Sequence, residues 1–237
     1  KPSLVIGRGS HGGTSLLRAA AALPYFTPVA APGTQPFQPI SLDDLADGIV
    51  ALAGRRQPSR TTLVAAGPQV VTLSDLAARY RRWLGFAPVP VVAIPAWLLR
   101  LVAGFGDIAG YFGSPTALRS TSFAQMSAMP IADPGPYSEA SGVPPRPLSQ
   151  VFAAMPSTVQ DRLHARLYFL RAGLQATLAL FWIVSGLIAL LPGPFAKASG
   201  VLTDVGLGDS LANSLVAGGA FLDLLLGLVM LTARGVR

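Results

Sequence analysis

Two apolar stretches near the C-terminal end constrain this 237-residue chain more than any other feature. Ala172 to Leu191 is twenty residues without a charge. At the rise of an α-helix that is about 30 Å, the thickness of a bilayer's hydrocarbon core. Leu211 to Ala233 is twenty-three residues whose only charge is Asp223. A buried helix of a soluble bundle can be as apolar, but two such stretches with a single charge between them favour a membrane hairpin. The preceding residues have another texture: short β-branched runs, capped helices, many Gly and Pro.

Composition sharpens the contrast. The chain is 51% hydrophobic and only 12% charged, about half the usual charged share of a globular protein. It has no cysteine, which excludes disulfides, cysteine–zinc sites and a thiol nucleophile. His11 and His164 are too far apart in sequence to suggest a metal site. The net charge of +7 is scattered, and its one dense run, Arg79 to Arg82, falls on a single predicted helix. Nucleic acid is therefore not an expected partner.

Leu4 to Ile6 reads as a strand, Gly7 to Gly13 as a glycine-rich loop, and Thr14 or Ser15 as the cap of a helix ended by Pro24. Gln38 to Ile40 is a strand stub before Ser41, which with Asp44 forms a candidate capping box for a helix to about Ala53. Thr61 to Ala66 reads as a strand. Thr72 and Asp75 form a second box, on a helix closed by Gly85. Val91 to Ile94 is a strand, and Pro95 is placed to start a helix over Ala96 to Ala103. This alternation predicts an α/β segment with largely parallel pairing. Residues 1–130 form the expected domain. Residues 131–160 are a linker with an amphipathic helix, and 161–237 hold spans at about 172–191 and 211–233.

Gly7-Arg8-Gly9-Ser10-His11-Gly12 matches the dinucleotide pattern G-x-G-x-x-G, between a strand and a helix. The pattern needs an acid about twenty residues on to hold the ribose, and none occurs between Gly13 and Leu42. Arg18 lies within the helix, and no other base stands between Gly13 and Arg55. A phosphate cradle, a substrate-pocket loop and a plain structural turn all remain open for this loop. Asp43 and Asp44, in a helix first turn, are expected to favour the helix dipole rather than serve catalysis.

Pro2-Ser3-Leu4-Val5-Ile6-Gly7-Arg8-Gly9 resembles a late strand and loop of extended short-chain dehydrogenase/reductases. Gln38-Pro39-Ile40-Ser41-Leu42-Asp43-Asp44-Leu45-Ala46 is similar to that family's following block, with Ser41 where histidine is common. With the Thr72 to Leu76 helix, the resemblance covers roughly residues 1–125 and points to the atypical, NAD(P)-binding branch. It implies the C-terminal half of a Rossmann-like domain, with NAD or NADP as cofactor. Pro2 and Val5 would lie beside the nicotinamide, and Gly7, Arg8, Ser10, His11 and Gly12 would line the pocket of a small-molecule substrate. The phosphate loop and catalytic pair would then lie upstream. No Tyr-x-x-x-Lys occurs, since the fourth residue after each tyrosine is Val29, Leu84, Pro115, Ser141 or Ala172. The implied activity is that of a membrane-anchored oxidoreductase or epimerase-like protein, inactive without that half. The rival is a non-enzymatic nucleotide-sensing or scaffold module.

Asp161 to Tyr168, followed by Trp182 to Gly186, resembles the entry into a DoxX-like membrane domain. Such domains typically have four spans, and some relatives are linked to quinone or thiol redox chemistry. Two spans imply truncation at both ends or completion by another copy, a homo-oligomer through the membrane helices. Arg146, Arg162, Arg166 and Arg171 precede the first span and Arg234 and Arg237 follow the second, whereas the connection holds only Lys197 against Asp204 and Asp209. The positive-inside rule places both outer ends and the α/β part in the cytoplasm of a multi-pass cell-membrane protein. Asp223, with Ser185 and the Trp182 indole as candidate donors, is the expected polar site within the bilayer. Gly219 and Gly227 would let a neighbouring helix approach it. It reads either as a pin between helices or as a proton- or quinone-linked group.

Overall fold

The computed structural model describes residues 1–54, 61–111, 119–127 and 130–232, with the side chains of 108, 109, 123, 124, 126, 127, 172 and 232 left out. Arg55, Pro115, Ala233, Arg234 and Arg237, each used in the sequence reading, lie outside the described residues. The chain divides into two compact units. One holds Lys1–Asp107 with Ala117–Tyr168; the other holds Ile108–Thr116 with Phe169–Arg237.

In the first unit, the strands form three separate pairs. β1 (Val5–Ile6) runs parallel to β4 (Ile40–Ser41), and β2 (Thr27–Ala30) runs parallel to β6 (Val91–Ile94), with Thr27 opposite Val91. β3 (Pro36–Phe37) and β5 (Val71–Thr72) are antiparallel. The expected parallel pairing thus holds for two pairs, but no continuous sheet joins them among the described residues. Helices predominate over strands. Parallel pairs need crossovers, and α1 (Gly13–Ala21), α2 (Leu42–Ala53) and α3 (Leu73–Trp83) lie on those connections.

The predicted strand Thr61 to Ala66 is reduced to one bridge between Ala65 and Pro2. The chain is drawn away just beyond it, where Gly67 presses against the Pro39 carbonyl with no room for a Cβ. The Gly67 carbonyl in turn accepts from Gln38 Nε2 at 2.7 Å. The box on α3 forms as expected, Thr72 and Asp75 capping reciprocally, and Gly85 closes the helix at φ +77°. The box on α2 does not. Ser41 accepts from the Asp43 amide at 3.2 Å, while the buried Asp44 carboxylate takes the Arg146 amide at 2.8 Å and its Nε at 2.6 Å. A buried carboxylate requires a charged or multiple-donor partner, and this demand outweighs the local cap.

The core joins Ile6, Val29, Phe37, Leu76, Tyr80 and Leu84 to Leu148, Val151 and Met155. The last three come from or follow α7 (Leu148–Ala154), whose Phe152 meets Tyr80 edge-on at 5.2 Å between centroids. Part of the stretch read as linker is a helix, α6 (Gly135–Ser141). Tyr137 reaches from it into a notch at Gly48, and its hydroxyl donates to the Asp44 carbonyl at 3.0 Å. The helix after Pro95, α4 (Ala96–Tyr111), runs eight residues past its expected end, and α5 (Ser120–Ser127) follows.

α8 (Val159–Ala189) is a single helix that begins in the first unit, where Thr158 and Asp161 cap each other, and continues as the first apolar span. In the second unit, the connection between spans is itself helical. Pro192 starts α9 (Pro192–Asp204), and α10 (Asp209–Thr232) carries the second span. Both α8 and α10 are long and apolar enough to cross a membrane, and most of each span is unburied within the chain.

Candidate functional site

The glycine loop is shaped from below by Arg18. This side chain is 2% exposed, on the buried face of α1. Its Nη2 donates to the Gly7 carbonyl at 2.7 Å. Its Nη1 donates to the Arg8 carbonyl at 3.1 Å and to Asp161 at 3.2 Å, and the guanidinium stacks 4.6 Å from the Trp83 ring centroid. A buried guanidinium is tolerable only with such a partner set. Tyr80 lies beside it, its ionisation pushed up by burial and opposed by the Arg18 charge.

The start of the loop is thereby anchored at Gly7 and Arg8. Arg8 is exposed and reaches the Ala154 carbonyl at 3.4 Å; His11 and Gly12 are exposed and Ser10 is half-buried. Thr14 closes the turn, its hydroxyl donating to the His11 carbonyl at 2.9 Å and accepting from the His11 amide at 3.2 Å. Two of the three motif glycines have structural reasons to be glycine. Gly12 has φ +54°, and a Cβ on Gly7 would lie 3.1 Å from Leu42. Gly9 meets only ordinary contact with His11.

Pro2 is exposed and bridged to Ala65, and Val5 packs toward Ile40, Ala65 and Tyr137. The residues present do not fit the phosphate and ribose half of a dinucleotide. Both terminal nitrogens of Arg18 donate to Gly7, Arg8 and Asp161, its buried Nε has no partner among the described residues, and no acid follows the loop before Asp43.

In the second unit, the Ser185 hydroxyl donates to Asp223 Oδ2 at 2.9 Å. The helices close in on either side. A Cβ on Gly186 would lie 2.7 Å from the Ala220 carbonyl, and one on Gly227 would lie 2.9 Å from the Ala179 carbonyl. Gly219 faces open space, so the contact face of α10 is Ala220, Asp223 and Gly227 rather than the every-fourth row through Gly219. The Trp182 ring sits edge-on to Phe181, 5.6 Å between centroids. Among the described residues no hydrogen bond from the Trp182 indole to Asp223 and no ion pair to Asp223 is found.

Sequence reasoning missed several polar anchors. Arg18 stood out only as a lone base in an alanine-rich helix face. The Asp44–Arg146 pair, 102 residues apart, left no local signal. Gln175, whose Nε2 donates to the Met230 carbonyl at 2.5 Å, and Ser199, which donates to Asn213 at 2.6 Å, were polar residues in apolar surroundings and open to suspicion on that ground.

Residues 179–237 match the DoxX-like family, so the chain carries a DoxX-like domain there. No curated protein matches the chain. Among solved structures, it is similar to the crystal structure of gox2253, at 18% identity and TM-score 0.42, over 70% of this chain and 49% of that one. It is also similar to UDP-glucuronic acid 4-epimerase from Bacillus cereus, solved with UDP-glucuronic acid and NAD, at 14% identity and TM-score 0.41, over 72% of this chain and 44% of that one. The chain spans under half the length of either structure. At these scores the likeness does not fix the fold of the first unit.

Proposed function

We propose that this chain is part of a membrane-anchored NAD(P)-dependent oxidoreductase or epimerase-like protein, to which it contributes a substrate-side loop and a bilayer anchor. One observation carries the reading. The buried Arg18 holds the Gly7 and Arg8 carbonyls inward while the side chains of Arg8 and His11 are exposed, so that Gly7, Arg8, Ser10, His11 and Gly12 would form the rim of a substrate pocket. Such a rim suits the orientation of a polar small molecule. Support comes also from the motifs of residues 1–125 and from the DoxX-like domain behind them. The cofactor half and the Tyr-x-x-x-Lys pair would be supplied by sequence outside these residues. The anchor would place the first unit in the cytoplasm, given the arginines flanking the spans.

Calorimetric titration of the purified chain with NAD and NADP tests the division of labour. No measurable binding is expected. Micromolar affinity abolished by Gly9→Val would overturn it and restore the literal dinucleotide fingerprint. In a protein carrying the nucleotide half, His11→Ala is expected to raise the substrate KM and leave cofactor affinity unchanged. The lack of Tyr-x-x-x-Lys in these residues favours one rival, a non-enzymatic nucleotide-sensing or scaffold module. That rival predicts no turnover in such a protein.

A further inference from the structure

The first unit carries an apolar helix face that none of its described residues covers. On α4, Trp97, Leu101 and Phe105 are 62%, 55% and 74% exposed, with Leu98 beside them. Their spacing of four puts them on one side of the helix. Ala103 and Gly106 are buried on the opposite side, so one face of the helix is covered and the other is exposed among the described residues. Arg100 is exposed at the margin of that open face. Monomeric soluble proteins rarely leave such a contiguous patch of large apolar side chains without a partner.

Three facts identify the partner as a lipid surface. First, the same chain holds two helices of membrane length, and one of them, α8, starts inside the first unit. A bilayer is therefore always within a few residues of this unit. Second, the stripe opens on Trp97 and the helix ends on Tyr111, the two residue types that favour a membrane–water interface. Third, α4 is too short and too charged to cross. Its 16 residues extend about 24 Å, less than a hydrocarbon core of about 30 Å, and include Arg100 and Asp107. A short helix with a tryptophan near one end, an apolar stripe and a marginal arginine fits the boundary between headgroups and acyl chains.

We propose that α4 lies in the plane of the membrane surface, with Trp97, Leu101 and Phe105 entering the acyl boundary of a phospholipid leaflet. The helix would then fix the height and tilt of the first unit over the bilayer.

The absence of native cysteine makes the test direct. The full chain is reconstituted in phosphatidylcholine–phosphatidylglycerol nanodiscs, with single cysteines at Leu101 or Phe105 carrying an environment-sensitive fluorophore. Leu222→Cys, exposed on the second span, is the inserted reference, and Arg82→Cys, exposed at the end of α3, is the aqueous one. Labels at 101 and 105 are expected to be blue-shifted and to be quenched by lipid-borne nitroxide several-fold more than the label at 82, in discs holding one copy. Adding Trp97→Asp is expected to reduce that quenching while the label at 222 stays quenched, which separates surface docking from failed insertion. Water-exposed emission at 101 and 105 would overturn the proposal. So would protection that appears only when two copies share a disc and resists lipid-borne quencher, since a second copy would then cover the face.

Discussion

Arg18→Met should cost the first unit a large part of its stability, and the structure sets the scale. The substitution removes two charge-assisted bonds to the Gly7 and Arg8 carbonyls and one to Asp161. Breaking a buried ion pair from one side costs about 3–5 kcal/mol, because the remaining charge stays desolvated. Here Asp161 keeps 20% side-chain exposure and can partly rehydrate, which argues for the lower end, about 3 kcal/mol. For a unit of this size that is a fall in Tm of roughly 6–12 °C. Arg18→Lys keeps the charge but loses the fork that serves Gly7 and Arg8 together, and should fall between parent and Met. The assay is thermal unfolding of the detergent-purified chain followed by tryptophan emission, since Trp83 lies directly against the guanidinium. Pairing Arg18→Met with Asp161→Asn should give a coupling of about 0.5–3 kcal/mol. A Tm within about 2 °C of the parent for Arg18→Met would refute the claim that this side chain holds the loop.

Other substitutions probe other joints. The Tyr80 ionisation is raised by burial, so the unfolded chain releases that proton first; stability should be intact below about pH 10 and fall as pH rises beyond it. Tyr80→Phe should flatten that alkaline slope in a pH series of melts, and an unchanged slope would contradict the assignment. Gly48→Ala drives a Cβ into the Tyr137 ring and should destabilise by about 1–3 kcal/mol, with part recovered by Tyr137→Phe; an inert Gly48→Ala would mean that α6 does not dock on α2. Ser185→Ala should weaken α8–α10 association by about 0.6–1.7 kcal/mol in a detergent-titrated unfolding assay, and Gly227→Val should weaken it further by forcing apart backbones now in contact at Ala179. Equal stability of Gly227→Val and parent would show that this contact contributes nothing.

What the sequence made legible was local. The Thr72–Asp75 box, the Gly85 stop and the β6 strand are each encoded within a few residues, and each forms where expected. The α2 box failed for a non-local reason. Asp44 has a partner 102 residues away that satisfies both carboxylate oxygens, which the helix amide cannot do. The helix α6 was hidden because Gly, Pro and Ser dominate residues 130–147, and its stability comes from Tyr137 seated against Gly48 rather than from propensity. On α10 the every-fourth spacing found Asp223 and Gly227 on the contact face, but Ala220 stands there in place of Gly219. Glycine spacing shows where a neighbour is able to come close, while the neighbour itself decides which glycines are used.

The glycine loop shows how far a motif can mislead and still be informative. G-x-G-x-x-G is read as a phosphate cradle because glycines let backbone approach a ligand. Here the same letters answer two other demands, a positive φ at Gly12 and the passage of Gly7 over Leu42. The residue that discriminates is outside the motif. An arginine five residues beyond Gly13 could in principle meet a phosphate, but burial on α1 turns it back onto the loop's own carbonyls. The carbonyls of Gly7 and Arg8 are thus answered from within the fold, while the side chains of Arg8 and His11 stay exposed. Arg18 anchors the start of the loop, and its replacement should loosen Gly7 and Arg8 without creating a nucleotide site.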